Sequence, residues 1–302
     1  MRRTVNGILL LDKPIGMTSN GALQRVKRLF NAKKAGHTGS LDPLATGMLP
    51  LCFGEATKFS QYLLESNKSY EVVAKLGVRT RTADSEGDVI ATHPVVGVSE
   101  ERINDIIAAF TGEIEQIPPM YSALKVNGKP LYELARKGIE IERQARRVNI
   151  FSLTLEKLDL QKEEAAFQVH CSKGTYVRTL MDDIGQALGC GAHVIQLRRT
   201  YVSPYENAVM HTMSSLEEML KNSGIEALQS CLLPVETSVN IFPAVKLSTA
   251  AMFYLRMGQP VRASFPLNSS LVRLMSDDAK FLGMGEVLPD GRVKPQRLVQ
   301  VL

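Results

Sequence analysis

The sequence predicts an α+β protein, a large domain of strands and helices followed by a small β-rich C-terminal module. Three observations carry this. Lys68–Leu76 alternates, placing Tyr70, Val72, Ala74 and Leu76 on one face, the period of a half-buried strand. Leu23, Val26 and Leu29/Phe30, and later Leu180, Ile184 and Leu188, recur at helical spacing. From about Phe242 onward the apolar runs become short and are separated by turn residues. A chain of 302 residues, 44% of them hydrophobic, can bury a core of the size this requires.

Taken in order, Asn6–Asp12 reads as a buried strand that ends at Lys13-Pro14-Ile15-Gly16. Ser19 is placed to cap a helix whose inner face is apolar and whose outer face carries Arg25, Lys27 and Arg28. Gly54–Ser66 reads as a second helix, and residues 79–88 as a polar loop. Ser99 caps a helix through Ile103, Ile106, Ile107 and Phe110, closed by Gly112. Two prolines and Asn127-Gly128 break up the stretch that follows, so residues of about 118–147 read as an excursion from the main fold, continuing as a helix over Leu131–Lys137. Residues 148–171 give two strands joined by a polar turn. A glycine turn then leads into the helix that starts near Arg178 and stops at Gly189, and His193–Thr200 returns as a strand. A helix over Ser214–Lys221 and a linker lead to strands at Leu271–Met275, Phe281–Val287 and Leu298–Leu302, with a hairpin turn at Pro289-Asp290-Gly291. The expected domains are 1–240 and 241–302, the second small enough to depend on docking to the first.

Charge is segregated. Residues 1–60 hold nine basic and three acidic residues, net +6, and residues 118–150 hold seven and three, net +4. Residues 61–117, between them, carry five basic and ten acidic residues, net −5. Such asymmetry points to a polyanion on one face, nucleic acid first, against ordinary solvated surface as the alternative. The basic excursion reads either as a segment that closes over that polyanion or as a flexible insert. No run reaches the ~18 uncharged apolar residues of a membrane span, so a soluble, cytoplasmic protein without a membrane partner is expected. Cys52, Cys171, Cys190 and Cys231 stand far apart with no second ligand pair, which favours reduced buried thiols over a metal site.

The stretch Gly36-His-Thr-Gly-Ser-Leu-Asp42-Pro-Leu-Ala-Thr-Gly47 is a loop by composition, and Asp42 is its one carboxylate. Leu41, Pro43, Leu44 and Ala45 hem that carboxylate in with apolar surface. Two readings stand: a nucleophile or general base on a rigid loop, or a turn aspartate bonded to its own backbone. Arg178, at the start of its helix, could pair bidentately with a carboxylate such as Asp42 or with a phosphate.

Four blocks in order, Asp12-Lys13-Pro14-x-Gly16-x-Thr18-Ser19, Gly36-His37-Thr38-Gly39-x-Leu41-Asp42-Pro43-x-Ala45-x-Gly47, Lys68-x-Tyr70 and Cys171-x-Lys173-Gly174-Thr175-Tyr176-x-Arg178-Thr179, resemble the TruB-type tRNA pseudouridine-55 synthases. The likeness runs over residues 5–205 and more loosely through the tail, which is similar to an RNA-binding module of the PUA kind. Ser40 stands where alanine is common in the family. The resemblance implies a pseudouridine-synthase-like domain around a large mixed, mostly antiparallel sheet flanked by helices, with a cleft across it. It implies isomerisation of the T-loop uridine of tRNA at position 55: the base is flipped out, detached from the ribose, turned and rejoined through C5. No metal, nucleotide or organic cofactor and no obligate protein partner are expected, and a monomer is.

Under that resemblance Asp42 is the catalytic aspartate, Arg178 holds it ionised and aimed, and Tyr70 stacks on the uracil and helps remove the C5 proton. Lys13 is a supporting cation, while Tyr176 and Leu197 border the bound base. His37 inserts into the T-loop to brace the gap left by flipping. Arg25, Arg28, Lys33, Lys34, Lys125 and Lys129 bind the tRNA backbone, chiefly by counterion release. The reading from a different class is a tRNA-binding or folding protein (an RNA chaperone) whose chemistry is incidental or lost, and intact Asp42, Tyr70 and Arg178 argue against loss.

Overall fold

The apolar runs pair into one large sheet in the computed structural model, which describes residues 1–126, 128–264 and 269–300. Its strands are β1 (Gly7–Lys13), β2 (Ala35–His37), β3 (Thr46–Phe53), β4 (Lys68–Leu76), β5 (Gly112–Gln116), β6 (Arg146–Asp159), β7 (Glu164–Cys171), β8 (Ala192–Val202) and β9 (His211–Thr212). They lie in the order β9-β1-β3-β8-β4-β7-β6-β5, with β2 added on β3. Within this sheet β1/β9 and β3/β8 are parallel and the remaining pairs antiparallel, so the sheet is mixed and mostly antiparallel.

β4 sits near the middle, bonded on both sides. Its period of two sends Tyr70, Val72, Ala74 and Leu76 into the core. Three helices cover that face: α1 (Ser19–Leu29), α2 (Glu100–Ala109) and α3 (Val177–Leu188). Leu23 and Val26, Ile103 and Ile107, and Leu180 and Ile184 are their buried contributions. The opposite face of β1 and β3 buries Ile8, Leu10, Met48 and Cys52 under Val202, Tyr205 and Val235.

Several local expectations shift. Thr18, not Ser19, caps α1 by accepting from the Gly21 amide, and Ser19 opens the helix. Gly54–Ser66 is a 3₁₀ turn over Gly54–Lys58 and a short helix over Ser60–Leu64 rather than one helix. α2 stops at Ala109 with Phe110 as its cap, and Gly112, at φ +96°, opens β5 instead of closing the helix. The helix expected over Ser214–Lys221 runs as α4 (Met213–Ser230), broken at Gly224 and held at its far end by buried Leu228. The helix expected over Leu131–Lys137 ends at Ala135. Within the excursion Lys125–Val126 pairs with Lys129–Pro130; Asn127 of the expected turn lies outside the described residues.

The C-terminal sheet runs β10 (Ala244–Leu247), β12 (Leu271–Ser276), β13 (Phe281–Val287), β14 (Arg292–Leu298) and β11 (Val261–Arg262), with a helix over Thr249–Arg256. The strand expected at Leu298–Leu302 lies earlier, as β14. The tight turn at Asp290-Gly291 brings Val293 opposite Val287, so pairing begins at once. Val301 and Leu302 are outside the described residues. Phe281 packs on Phe59 at 5.4 Å between ring centroids, and Tyr62 meets Phe242 edge-on at 5.4 Å. Lys58 Nζ donates to the Leu298 carbonyl at 3.1 Å, and the Gln300 amide donates to Glu55 at 2.6 Å. Apolar and polar contacts together fix this sheet against the 54–64 segment.

Gly47 lies where β3 runs beside β8, at φ +95°, and a Cβ there would stand 2.2 Å from the Arg199 carbonyl oxygen. Left-handed strain and this close approach act together, so Gly47→Ala is expected to lose about 2 kcal/mol or more of stability. Equilibrium urea unfolding checks this; an unchanged midpoint would contradict the close approach.

Candidate active site

The Gly36–Gly47 loop joins β2 to β3, and its backbone is bonded from several directions. Ser19 Oγ donates to the Leu41 carbonyl at 3.0 Å and accepts from the Leu41 amide at 2.7 Å. The Gly16 amide donates to the Pro43 carbonyl at 2.8 Å. Lys13 Nζ donates to the carbonyls of Pro14 (2.9 Å), Met17 (2.6 Å) and Pro43 (3.5 Å). Arg199 Nη2 donates to Gly39 at 2.9 Å and its Nε to Met48 at 2.7 Å. These bonds make the loop rigid without using the Asp42 side chain.

The turn itself is closed by backbone, Ala45 N–H to the Asp42 carbonyl at 3.1 Å. The carboxylate instead faces Arg178, whose Nε lies 2.9 Å from Oδ2. That geometry removes the reading of Asp42 as a turn cap. Arg178 stands in the first turn of α3, where the glycine turn after β7 delivers it, and it is buried. Its Nη1 donates to the Thr82 carbonyl at 2.8 Å and to Asp84 Oδ2 at 3.1 Å, and its Nη2 to the Tyr121 carbonyl at 2.8 Å. Asp84 is buried too, and its Oδ1 also accepts from Thr82 Oγ1 and the Glu86 amide. One guanidinium therefore bridges a buried carboxylate and a partly exposed one. The Asp42 side chain keeps 41% exposure to the groove against 3% for Asp84.

Burial and the nearby Asp84 charge push the Asp42 carboxyl above its ordinary value, opposed by Arg178 and Lys13. Burial also lowers Lys13 to about 8 and Lys68 to about 8. Tyr70 is raised by burial, with the Arg199 guanidinium across the strand pair pulling the other way. His37 is lowered by burial and by Arg199, so the neutral ring is favoured.

Two cavities flank Asp42. One of about 370 Å³ is lined by Lys68, Tyr70, Tyr176, Leu197 and Arg199 as well as by Asp42 and Arg178. The other, about 460 Å³, includes His37, Asp84, Tyr132 and Arg136 with the same central pair. Asp42 and Arg178 thus line both cavities of the groove, with Tyr70, Tyr176 and Leu197 in one and His37 in the other. Lys13 is not open to it: fully buried, its ammonium braces the loop from beneath. Arg25 is engaged by Glu217 at 2.6 Å, whereas Arg28, Lys33, Lys34, Lys125 and Lys129 are exposed. Sequence reasoning missed Asp84, Ser19 as a loop clamp, and Arg199. Asp84 lies in what reads as a polar loop, and the one available signal is that a buried arginine calls for a carboxylate.

The family model for the TruB family pseudouridylate synthase N terminal domain matches residues 27–177. That for the tRNA pseudouridylate synthase B C-terminal domain matches 178–240, and that for the C-terminal part of pseudouridine synthase II TruB matches 243–299. A tRNA pseudouridine synthase B of Coxiella burnetii (strain RSA 493 / Nine Mile phase I) is 54% identical over 299 residues, 99% of this chain and 96% of that one. This chain belongs to the TruB family. A second TruB-family relative, tRNA pseudouridine synthase B of Ectopseudomonas mendocina (strain ymp), is 54% identical over 99% of this chain and 97% of its own. Among solved structures, the crystal structure of a Cbf5-Nop10-Gar1 complex contains a chain similar to this one with a TM-score of 0.76 and 26% identity, covering 98% of this chain and 85% of that one.

In this TruB-family chain Ser19→Ala would strand the buried Leu41 amide and carbonyl, with an expected loss of about 2 kcal/mol. Thr18→Ala, removing only an exposed cap, should lose about 1 kcal/mol. Denaturant unfolding of the two variants ranks them; the reverse order would mean that Ser19 does not clamp the loop.

Proposed function

We propose that this groove isomerises a uridine of tRNA to pseudouridine, acting on position 55 of the T-loop. The observation that carries the site assignment is the Asp42–Arg178 pair at 2.9 Å, facing a cavity walled by Tyr70 and Leu197. A uracil cannot be turned while stacked, so the nucleotide is extruded and the base enters between Tyr70 and Leu197. The ribose then meets Asp42. Attack at C1′ and removal of the C2′ proton both need an ionised carboxylate with a free edge, which pairing with Arg178 from one side provides. After glycosidic cleavage the base rotates and rejoins through C5, and Tyr70 assists loss of the C5 proton. His37, on the loop that carries Asp42, braces the T-loop where the nucleotide left. Arg28, Lys33 and Lys34 on one side of the chain and Lys125 and Lys129 in the excursion contact tRNA phosphates. Arg25 contributes less because Glu217 engages it. Residues 1–240 form the catalytic domain and 241–302 an RNA-binding module, in a cytoplasmic enzyme that acts as a monomer on the T-arm.

Release of tritium from tRNA transcript carrying 5-³H-uridine tests the assignment. Wild type should turn over, and Asp42→Asn should bind tRNA yet release none; equal release by the variant would remove Asp42 from its role. The rate should rise with pH as Asp42 loses its proton, because the ionised form is the reactive one. Since burial raises the Asp42 pKa, the acid limb should sit above the ordinary aspartate value of 3.8.

A further inference from the structure

Buried polar side-chain atoms are nearly always hydrogen-bonded, and an orphan calls for an explanation. Among the described residues four such atoms have no partner: Arg3 Nη1, His37 Nδ1, Ser122 Oγ and Arg143 Nε. Two of the four residues, His37 and Ser122, line the same cavity as Asp42 and Arg178. Ser122 also lines the Tyr70 cavity, so it belongs to the partition between the two, with Asp42 and Arg178.

Ser122 is only 5% exposed, and its hydroxyl has no hydrogen-bond partner. A serine usually bonds a nearby backbone carbonyl. Here those carbonyls are already engaged: Tyr121 by Arg178 Nη2 at 2.8 Å, Ser122 itself by the Tyr132 amide at 3.1 Å, and Leu124 by the Leu131 amide at 2.8 Å. The same bonds fix the backbone on either side of Ser122 relative to Arg178, and hence to Asp42. Packing alone would be served by alanine, which fills nearly the same space without a polar group.

We infer that Ser122 Oγ–H donates to an oxygen of the ribose-phosphate backbone of the extruded nucleotide, which makes Ser122 a substrate-binding residue. This rests on the reading of the groove as the pseudouridine-forming site. With the base against Tyr70 and Leu197 and the sugar at Asp42, the partition is where the backbone of that nucleotide crosses. A neutral donor there adds a directed bond without adding counterion release.

Binding of unmodified T-arm RNA is compared between Asp42→Asn and Asp42→Asn/Ser122→Ala, so that turnover does not intervene, and thermal unfolding between wild type and Ser122→Ala. The variant should melt at the wild-type temperature or above it, because an unpaired buried hydroxyl has been removed. Affinity should fall about 3- to 10-fold, the worth of one hydrogen bond. The fall should be the same at low and high salt. An unchanged affinity overturns the proposal, and so does a lowered melting temperature, which would mean the hydroxyl is bonded within the protein. RNA carrying a 2′-deoxy target uridine and RNA carrying a methylphosphonate beside it separate the two backbone sources. The modification whose effect disappears in the Ser122→Ala background marks the oxygen, and effects of both that persist undiminished overturn the backbone assignment. Tritium release by wild type is followed alongside: its absence would overturn the isomerase reading, while the affinity comparison still decides Ser122.

Discussion

Arg178 carries a positive charge almost out of reach of water and holds two negative ones apart, Asp84 at 3.1 Å and Asp42 at 2.9 Å. A buried guanidinium is tolerable only if its fork is filled, and carbonyls of Thr82 and Tyr121 complete the set. Three segments far apart in the chain are therefore tied to one side chain: the Asp42 loop, the 79–88 turn and the start of the excursion. The two carboxylates are not equivalent. Asp84 is enclosed and orients the guanidinium, whereas Asp42 stays open on its free side. Burial of this cluster is also what raises the Asp42 pKa, against the pull of Arg178 toward the ionised form.

The sheet supplies the frame for that cluster. Tyr70 and Arg199 face each other across β4 and β8, and Gly47 on β3 allows β8 to approach closely from the other side. Arg199 then reaches past Gly47 to bond the Met48 and Gly39 carbonyls, tying the sheet to the loop. The Tyr70 ring and the loop that carries Asp42 are thus set by the same strand. Aromatic packing of Phe281 and Phe242 on Phe59 and Tyr62 anchors the C-terminal sheet to the same body.

What could be read in the sequence was local. The alternation around Tyr70, the helical spacing closed by Gly189, and the glycine- and proline-rich loop around Asp42 all express period or backbone chemistry within a dozen residues. Contacts between distant segments left no such trace. Asp84 meets Arg178 across 94 positions, and Arg199 reaches Gly39 across 160. In the first case the acid sits in a stretch that reads only as a polar loop, and in the second a basic residue on a strand has no visible partner. Thr18 and Ser19 show a narrower limit. Both are good caps, and only the packed loop decides that Ser19 turns to Leu41 while Thr18 caps the helix. The last strand was displaced for a similar reason, since turn geometry rather than apolar content sets where β14 begins.

The coupling between Arg178 and Asp84 tests the central claim most directly. Equilibrium unfolding of Arg178→Ala, Asp84→Asn and the double variant forms a thermodynamic cycle. Each single change should be strongly destabilising, about 3 kcal/mol or more for Arg178→Ala, because it strands a buried charge. The double variant should be less destabilised than the sum by about 2 kcal/mol, since the second change removes the charge left unpaired by the first. Additive losses would mean that the guanidinium is not held by Asp84, and the aim of Asp42 would need another source.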